Sequence, residues 1–281
     1  MAAAVQIAAV LALAAACGWA GLRASRWPKP WRLSVSLAAL AVVCAIGAAR
    51  HYATLLLMPP FSVLIPGRVK FVVLAAAIAM MFASAIPHTE PRRKRVMLWM
   101  LTCVFVLYAA VPPFLGPELV RSELRSLRTI CDADGVCRQS TQYTCGPAAA
   151  VTGLRLWGLA GDESTIALHA GTSPLTGTEP DMLVAALRRL YAPRGLQCEY
   201  LSFGSVADLM GREPVLVITK YRPLIDHYMT VLAVTPEAVL VGDPLAGRRS
   251  YSHRDFARIW RRTGIVVRRV EVAEAVRRRD N

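Results

Sequence analysis

Acidic residues are nearly missing from the first part of this 281-residue chain. Residues 1–116 contain one acidic and 11 basic residues, whereas residues 117–281 contain 18 acidic and 22 basic residues. The chain is 55% hydrophobic and has a mean hydropathy of +0.40, which is too apolar for an ordinary soluble domain. The first part is therefore predicted to lie in a membrane. The remaining length of about 165 residues is enough for one buried globular core.

The sequence also lacks the patterns that nucleic-acid, nucleotide and metal sites require. The net charge of +14 falls mainly in short loops between apolar runs, and no basic face carries the aromatic residues that stack on bases. No Gly-x4-Gly-Lys-Ser/Thr run is present, which excludes a phosphate-binding loop for ATP. Cys131 and Cys137 have no second Cys or His pair to complete a metal site. We predict no nucleic-acid partner, no ATP, no metal and no cofactor.

Four apolar runs are long enough to cross about 30 Å of hydrocarbon. They cover residues 2–22, 33–49, 69–87 and 96–115. The first run lacks a positively charged start, so we expect a retained helix rather than a cleaved signal peptide. The segment Thr54–Pro66 is also apolar, but it is short and contains Pro59-Pro60. It is therefore expected to lie at the interface or to re-enter the membrane.

Basic residues between these runs predict the orientation in the membrane. They cluster in two loops, one holding Arg23, Arg26, Lys29 and Arg32, the other Arg92, Arg93, Lys94 and Arg95. Lys and Arg are retained on the cytoplasmic side of membrane proteins. With four spans, the C-terminal domain is then extracytoplasmic. We predict a multi-pass protein of the inner membrane, with the lipid bilayer as one partner.

The second part of the chain predicts helices first and an antiparallel sheet afterwards, which is an α+β fold. Residues 117–134 are interpreted as a linker, 135–270 as the globular domain and 271–281 as a solvated basic tail. The expected helices and strands are as follows. Helices are expected over 148–158, 162–170, 181–192 and 252–262, and strands over 197–203, 214–220, 228–234, 238–242, 248–251 and 264–270.

Four residues in this domain have the chemistry of a cysteine hydrolase. They occur in the order Gln139, Cys145, His227 and Asp243. A cysteine nucleophile needs a base, a group that orients the base and a donor for the oxyanion. Pro147 suits a first helical turn, so Cys145 is expected at a helix N-terminus, where the macrodipole favours a thiolate. The pattern predicts a papain-like cysteine hydrolase.

Each of these residues also has a purely structural interpretation. Cys145 and His227 could be buried core residues, and Asp243, in Gly-Asp-Pro, could be a turn residue. Asp226 is beside His227 in sequence and too near to orient its ring, so we expect a loop residue there.

The combination of motifs resembles the double-glycine leader peptidases, papain-like domains that process bacteriocin and pheromone precursors. The shared features are Gln-x5-Cys-Gly-Pro, a His-Tyr strand, Gly-Asp-Pro and Phe-x3-Trp. The resemblance implies Cys145 as nucleophile, His227 as base and acid, Asp243 as the His-orienting group and Gln139 as oxyanion donor. This sequence departs from the transporter members in two ways. It has no ATP-binding cassette, and its peptidase-type domain follows the membrane spans.

Cys131 and Cys137 close a small loop just before Gln139. An oxidising compartment would permit a disulfide between them, which would fix the strand that delivers Gln139. Two free thiols are the alternative.

Three functional hypotheses follow from the sequence. The first is a membrane-anchored cysteine peptidase that cleaves a small secreted or membrane-proximal peptide or protein substrate. The second is another acyl-transfer enzyme on the same residues, such as an amidase, deamidase or transpeptidase. The third is a non-catalytic peptide-binding adaptor on a membrane anchor. A transporter is disfavoured because the spans lack ionisable residues at their centres.

Overall fold

The computed structural model describes residues 2–51, 58, 59, 61, 67–222 and 225–270. It divides into two compact units, Met1–Leu119 and Val120–Asn281, which are treated separately below. Most of the apolar segment Thr54–Pro66 and the whole basic tail, 271–281, lie outside the described residues.

The described part of the first unit is helical. Its helices are α1 (Ala2–Ala24), α2 (Lys29–His51), α3 (Val69–Ala85), α4 (Arg92–Ala110) and α5 (Pro112–Leu119), with a 3-10 turn at Ile86–His88. Helix α3 packs against α1, α2 and α4. A Cβ at Gly21 would lie 2.5 Å from the Met80 carbonyl oxygen, so α1 and α3 approach too closely there for any larger residue. Small side chains such as Ala75 and Ala79 continue this contact.

Three helical segments of this unit are long and apolar enough to cross a membrane, and a fourth qualifies if α4 and α5 form one span. The predicted fourth span, 96–115, is broken. Helices α4 and α5 meet at an angle of 46°, where Pro112 and Pro113 remove two backbone N–H donors and end α4. The expectation of apolar N-terminal helices that could span a membrane is confirmed.

The second unit contains a papain-like α+β domain, as predicted. Its helices are α6 (Arg121–Arg125), α7 (Cys145–Leu156), α8 (Glu163–His169), α9 (Pro180–Tyr191) and α10 (His253–Ile259). Its strands are β1 (Ile130–Cys131), β2 (Cys137–Arg138), β3 (Leu196–Ser202), β4 (Val215–Arg222), β5 (Ile225–Val234), β6 (Val239–Asp243), β7 (Gly247–Tyr251) and β8 (Trp260–Arg269). Helix α6 and strand β1 lie inside the stretch interpreted as a linker, 117–134.

An antiparallel six-stranded sheet organises this unit, in the order β3-β8-β4-β5-β6-β7. Helix α7 packs on β4 and β5, where the Thr230 hydroxyl donates a 2.8 Å hydrogen bond to the Ala149 carbonyl. One buried cluster fills the space between the sheet and the helices α7 to α9. A second cluster includes Phe256 of α10 and Trp260 of β8. The sheet therefore holds α7 firmly from one face.

Several element boundaries differ from the prediction. Helix α10 ends at Ile259, not at residue 262, and Trp260 begins β8. The rings of Phe256 and Trp260 still pack together across this junction, with their centroids 5.5 Å apart. Helix α9 begins at Pro180, one residue before the predicted start, with Glu179 as its N-cap, because Pro suits the first helical position. Asp162 does cap α8, accepting a 2.7 Å hydrogen bond from the Thr165 amide.

Cys131 and Cys137 lie directly opposite each other in the β1–β2 ladder. Opposed residues of antiparallel strands have Cα atoms about 4.5–5.5 Å apart, which is within the range that a disulfide spans. Both thiols are free in this structure. The pairing predicted from the sequence remains a proposal, and the register supplies suitable geometry for it.

We expect the Cys131–Cys137 disulfide to form in protein isolated without reductant. Alkylation followed by peptide mass spectrometry should then find both cysteines in one cross-linked peptide that has lost two hydrogens. Reduction should lower the free energy of unfolding by about 2 kcal/mol. Cys131→Ser should be insensitive to reductant and serves as the control. Complete alkylation of both thiols in freshly isolated protein would contradict the disulfide.

Candidate active site

Cys145 is the first residue of α7, with Thr144 at the N-cap. The Thr144 hydroxyl does not cap the helix; it accepts a 3.1 Å hydrogen bond from the Thr141 amide instead. The first amides of α7 therefore keep their dipoles directed at the region around Cys145. The residue as a whole is only 9% exposed, so Cys145 is packed into the domain at the start of α7.

His227 projects from β5 and Asp243 ends the neighbouring strand β6. The His227 Nε2 atom lies 2.8 Å from the Asp243 Oδ1 atom, and both side chains are buried. Antiparallel pairing of β5 and β6 brings these residues together although sixteen positions separate them in sequence. Because Asp243 can only accept when ionised, Nε2 carries a proton. Nδ1 is then the ring nitrogen left for Cys145.

Two opposing effects act on the His227 imidazole. Burial lowers its pKa, but the hydrogen bond to Asp243 and the neighbouring Cys145 thiol together outweigh burial and raise the pKa to about 9. For Asp243, burial acts to raise the pKa, while hydrogen bonds from His227 and the Leu245 amide bring it below the ordinary value. The charged pair, imidazolium and carboxylate, is thus the favoured form at neutral pH.

Gln139 is tied to the same turn that holds Asp243. Its backbone amide donates a 3.1 Å hydrogen bond to the Pro244 carbonyl, one residue beyond Asp243. Its side-chain Nε2 donates to the Thr141 carbonyl at 2.7 Å, which uses one of its two hydrogens. The Oε1 atom is buried and has no hydrogen-bond partner among the described residues. This amide is therefore oriented by the protein while keeping donor capacity.

Glu163, which no sequence motif singles out, supports this segment. Glu163 is fully buried at the start of α8. Its two carboxylate oxygens accept from the backbone amide of Ser140 at 2.9 Å and from the Ser140 hydroxyl at 2.7 Å. A glutamate directly after an N-cap resembles an ordinary dipole-stabilising residue, so nothing local indicated that it reaches the residue after Gln139.

Asp226, expected in a loop, is instead a strand residue with a charged partner, Arg261. Asp226 lies on β5, where its Oδ1 atom accepts from Arg261 Nε at 2.9 Å and Nη2 at 2.8 Å. Asp226 does not orient the neighbouring His227 ring, as expected, because successive residues of a strand point to opposite faces. This ion pair ties the start of β5, next to His227, to Arg261 of β8.

The chain belongs to a known family of cysteine peptidases. The model of the Peptidase C39 family matches residues 134–271. An uncharacterized protein of Methanothermobacter marburgensis is 30% identical over 149 residues, covering 53% of this chain and 99% of that protein. The chain is therefore a member of the peptidase C39 family, and the resemblance to double-glycine leader peptidases is confirmed. Membership indicates cysteine peptidase activity on peptide bonds.

Other similar proteins include one with a named function and several solved structures. The probable functional amyloid protease FapD of Pseudomonas aeruginosa is 27% identical over 158 residues, covering 55% of this chain and 68% of that protein. A double-glycine motif protease from an AMS/PCAT transporter, solved with its leader peptide, has 14% identity and a TM-score of 0.42, covering 51% of this chain and 93% of that one. The peptidase domain of Streptococcus ComA has 19% identity and the same TM-score, covering 47% and 96%.

The pH dependence of Cys145 alkylation should reveal the His227–Asp243 pair. We expect two steps in the rate for the detergent-solubilised protein. The first marks formation of a thiolate paired with imidazolium, and the second, near pH 9, marks loss of the imidazolium proton. A raised base pKa means that the imidazolium persists through neutral pH and disappears as the pH rises through about 9.

Asp243→Asn should move the second step down by roughly one to two pH units, because a neutral amide no longer stabilises the imidazolium charge. Rates are read by peptide mass spectrometry with iodoacetamide. His227→Ala is the control, and it should leave a single step near the ordinary thiol pKa of ~8.5. An unchanged profile in Asp243→Asn would show that Asp243 has no electrostatic effect on the base.

Proposed function

We propose that the protein is a membrane-anchored cysteine peptidase that uses Cys145, His227, Asp243 and Gln139. The observation that supports this most directly is that His227 interacts with both Asp243 and Cys145, the first residue of α7. His227 is buried between Asp243 and Cys145, and Gln139 is bonded to the turn after Asp243. The contacts of His227 with both Asp243 and Cys145 favour the catalytic interpretation over a purely structural one.

The proposed reaction proceeds through an acyl-enzyme. The Cys145 thiolate attacks the scissile carbonyl carbon, and the oxyanion accepts hydrogen bonds from the Cys145 backbone amide and the Gln139 amide. The His227 imidazolium then donates its Nδ1 proton to the leaving amine as the C–N bond breaks. The neutral imidazole takes a proton from water, whose oxygen attacks the thioester and releases the carboxylic acid. Asp243 holds the ring in the tautomer that both steps need.

The proposed substrate is a peptide segment of a small secreted or membrane-proximal protein. Two of the similar proteins bear on this choice. One is described as a probable functional amyloid protease, and a structural neighbour was solved with a leader peptide. An amidase or transpeptidase would use the same acyl-enzyme, so the product distinguishes them. Hydrolysis adds water, deamidation exchanges ammonia for water, and transpeptidation adds an amine.

Cys145→Ala should abolish cleavage in the source cells while leaving the protein folded and in the membrane. N-terminal peptide mass spectrometry should find new protein N-termini with the wild-type chain that are missing with Cys145→Ala. Cys198→Ala is the matched control, since Cys198 is a buried cysteine of β3 and should retain the wild-type pattern. Equal cleavage by Cys145→Ala and the wild-type protein would refute the proposed nucleophile.

We propose further that the peptidase domain faces the outside of the inner membrane. The support is the placement of the two basic loops between apolar helices, because such loops stay in the cytoplasm. Trypsin should cut the loop containing Arg92–Arg95 in inverted vesicles and sites in the 135–270 domain in right-side-out vesicles. Cleavage of both regions from the same side would overturn this orientation.

A further inference from the structure

An irregularity in the sheet lies beside the proposed base. Strands β4 and β5 pair Thr219 with His227 and Lys220 with Asp226, but the next pair is Arg222 with Ile225. Tyr221 is therefore an extra residue on β4, a β-bulge. Bulges bend a strand and redirect a side chain, and they are frequent beside active sites.

The redirected ring of Tyr221 lies against the ring of His227. Their centroids are 5.6 Å apart and their planes make an angle of 43°. Tyr221 is 51% exposed, whereas His227 is 4% and Asp243 is 5% exposed. The phenol ring thus forms a layer between water and the buried His227–Asp243 hydrogen bond.

The strand ends that carry Tyr221 and His227 are anchored on both sides. Lys220 Nζ donates to the Arg258 carbonyl at 3.2 Å, and Arg261 holds Asp226 through two hydrogen bonds. The guanidinium of Arg222 lies 5.3 Å from the centroid of the Tyr221 ring. These contacts restrain the two strands that carry the Tyr221 and His227 rings.

We propose that Tyr221 is a positioning residue for the catalytic base, covering the His227 ring and excluding water from its hydrogen bond to Asp243. This inference rests on the proposed function of His227. A hydrogen bond between charged groups strengthens when water is excluded, and an aromatic ring attracts a cation held near it. Both effects favour the imidazolium, the form that donates the proton to the leaving amine, and they oppose the effect of burial, which lowers the pKa of His227.

Other charged and titratable groups around His227 also affect the pKa of its imidazole. Asp243 of β6 and Cys145 of α7 contact the imidazole itself. On β4, Lys220 and Arg222 flank Tyr221, and both cations would disfavour an imidazolium. Asp226 is neutralised by its ion pair with Arg261 on β8. Loss of the Tyr221 ring should therefore change the pKa of His227 without adding a new charge beside the imidazole.

The test compares Tyr221→Phe, Tyr221→Leu and Tyr221→Ser in the full-length, detergent-solubilised protein. The pH profile of Cys145 alkylation by iodoacetamide is recorded for each. We expect the upper step to stay near the wild-type position in Tyr221→Phe, which keeps the ring. It should fall by about one pH unit in Tyr221→Ser, which removes both the cover and the aromatic face, and by a smaller amount in Tyr221→Leu, which removes only the aromatic face. Ile225→Ser, an exposed residue of the same hairpin, is the control and should match the wild type.

The outcomes separate this inference from the proposed function. A two-step profile in the wild type that is unchanged in both Tyr221→Leu and Tyr221→Ser overturns the role of Tyr221 and leaves the Cys–His pair intact. A single-step profile in the wild type, unaffected by His227→Ala, overturns the proposed function itself. If Tyr221→Ser does not fold, judged by circular dichroism, Tyr221→Leu decides, since it keeps the bulk but removes the aromatic ring.

Discussion

The buried hydrogen bond between His227 and Asp243 is the interaction on which the proposed site depends. It joins two adjacent strands at 2.8 Å, and it raises the pKa of the imidazole against the effect of burial. An ionic hydrogen bond away from water is stabilising only when both partners are held in place. The β5–β6 ladder and the Leu245 amide supply that restraint. The rest of the domain positions Cys145, the proposed nucleophile, and the segment of Gln139, the proposed oxyanion donor, relative to this pair.

Three separate devices hold the other groups around the pair. Helix α7 is seated on the sheet through Thr230, which places Cys145 at the helix N-terminus. The segment around Gln139 is bonded to Pro244 and, one residue later, to the buried carboxylate of Glu163. Active sites need such support because small displacements of a reacting group cost much of the rate. The arrangement gives the buried carboxylate of Glu163 its hydrogen-bond partners.

The membrane unit follows simpler physics than the peptidase domain. Its helices satisfy their own backbone hydrogen bonds, and long apolar runs with few charges are sufficient to predict them. Pro112 and Pro113 mark the break between α4 and α5 in the sequence. The prediction of one continuous span over 96–115 rested on hydropathy, which does not detect such a break. In the domain, boundary errors such as the end of α10 arose because pairing of β8 with β4 takes Trp260 from the helix. Local periodicity does not report such competition.

By itself, the sequence determined the α+β class, the apolar helices and the four chemical groups of the candidate site. These follow from composition, hydrophobic period and motif spacing, which are local properties. Only the tertiary structure decided that Asp226 pairs with Arg261, that Glu163 supports Ser140 and that a bulge turns Tyr221 onto His227. Those contacts join residues from 6 to 35 positions apart through strand register and burial, and neither is encoded in any short stretch of the chain.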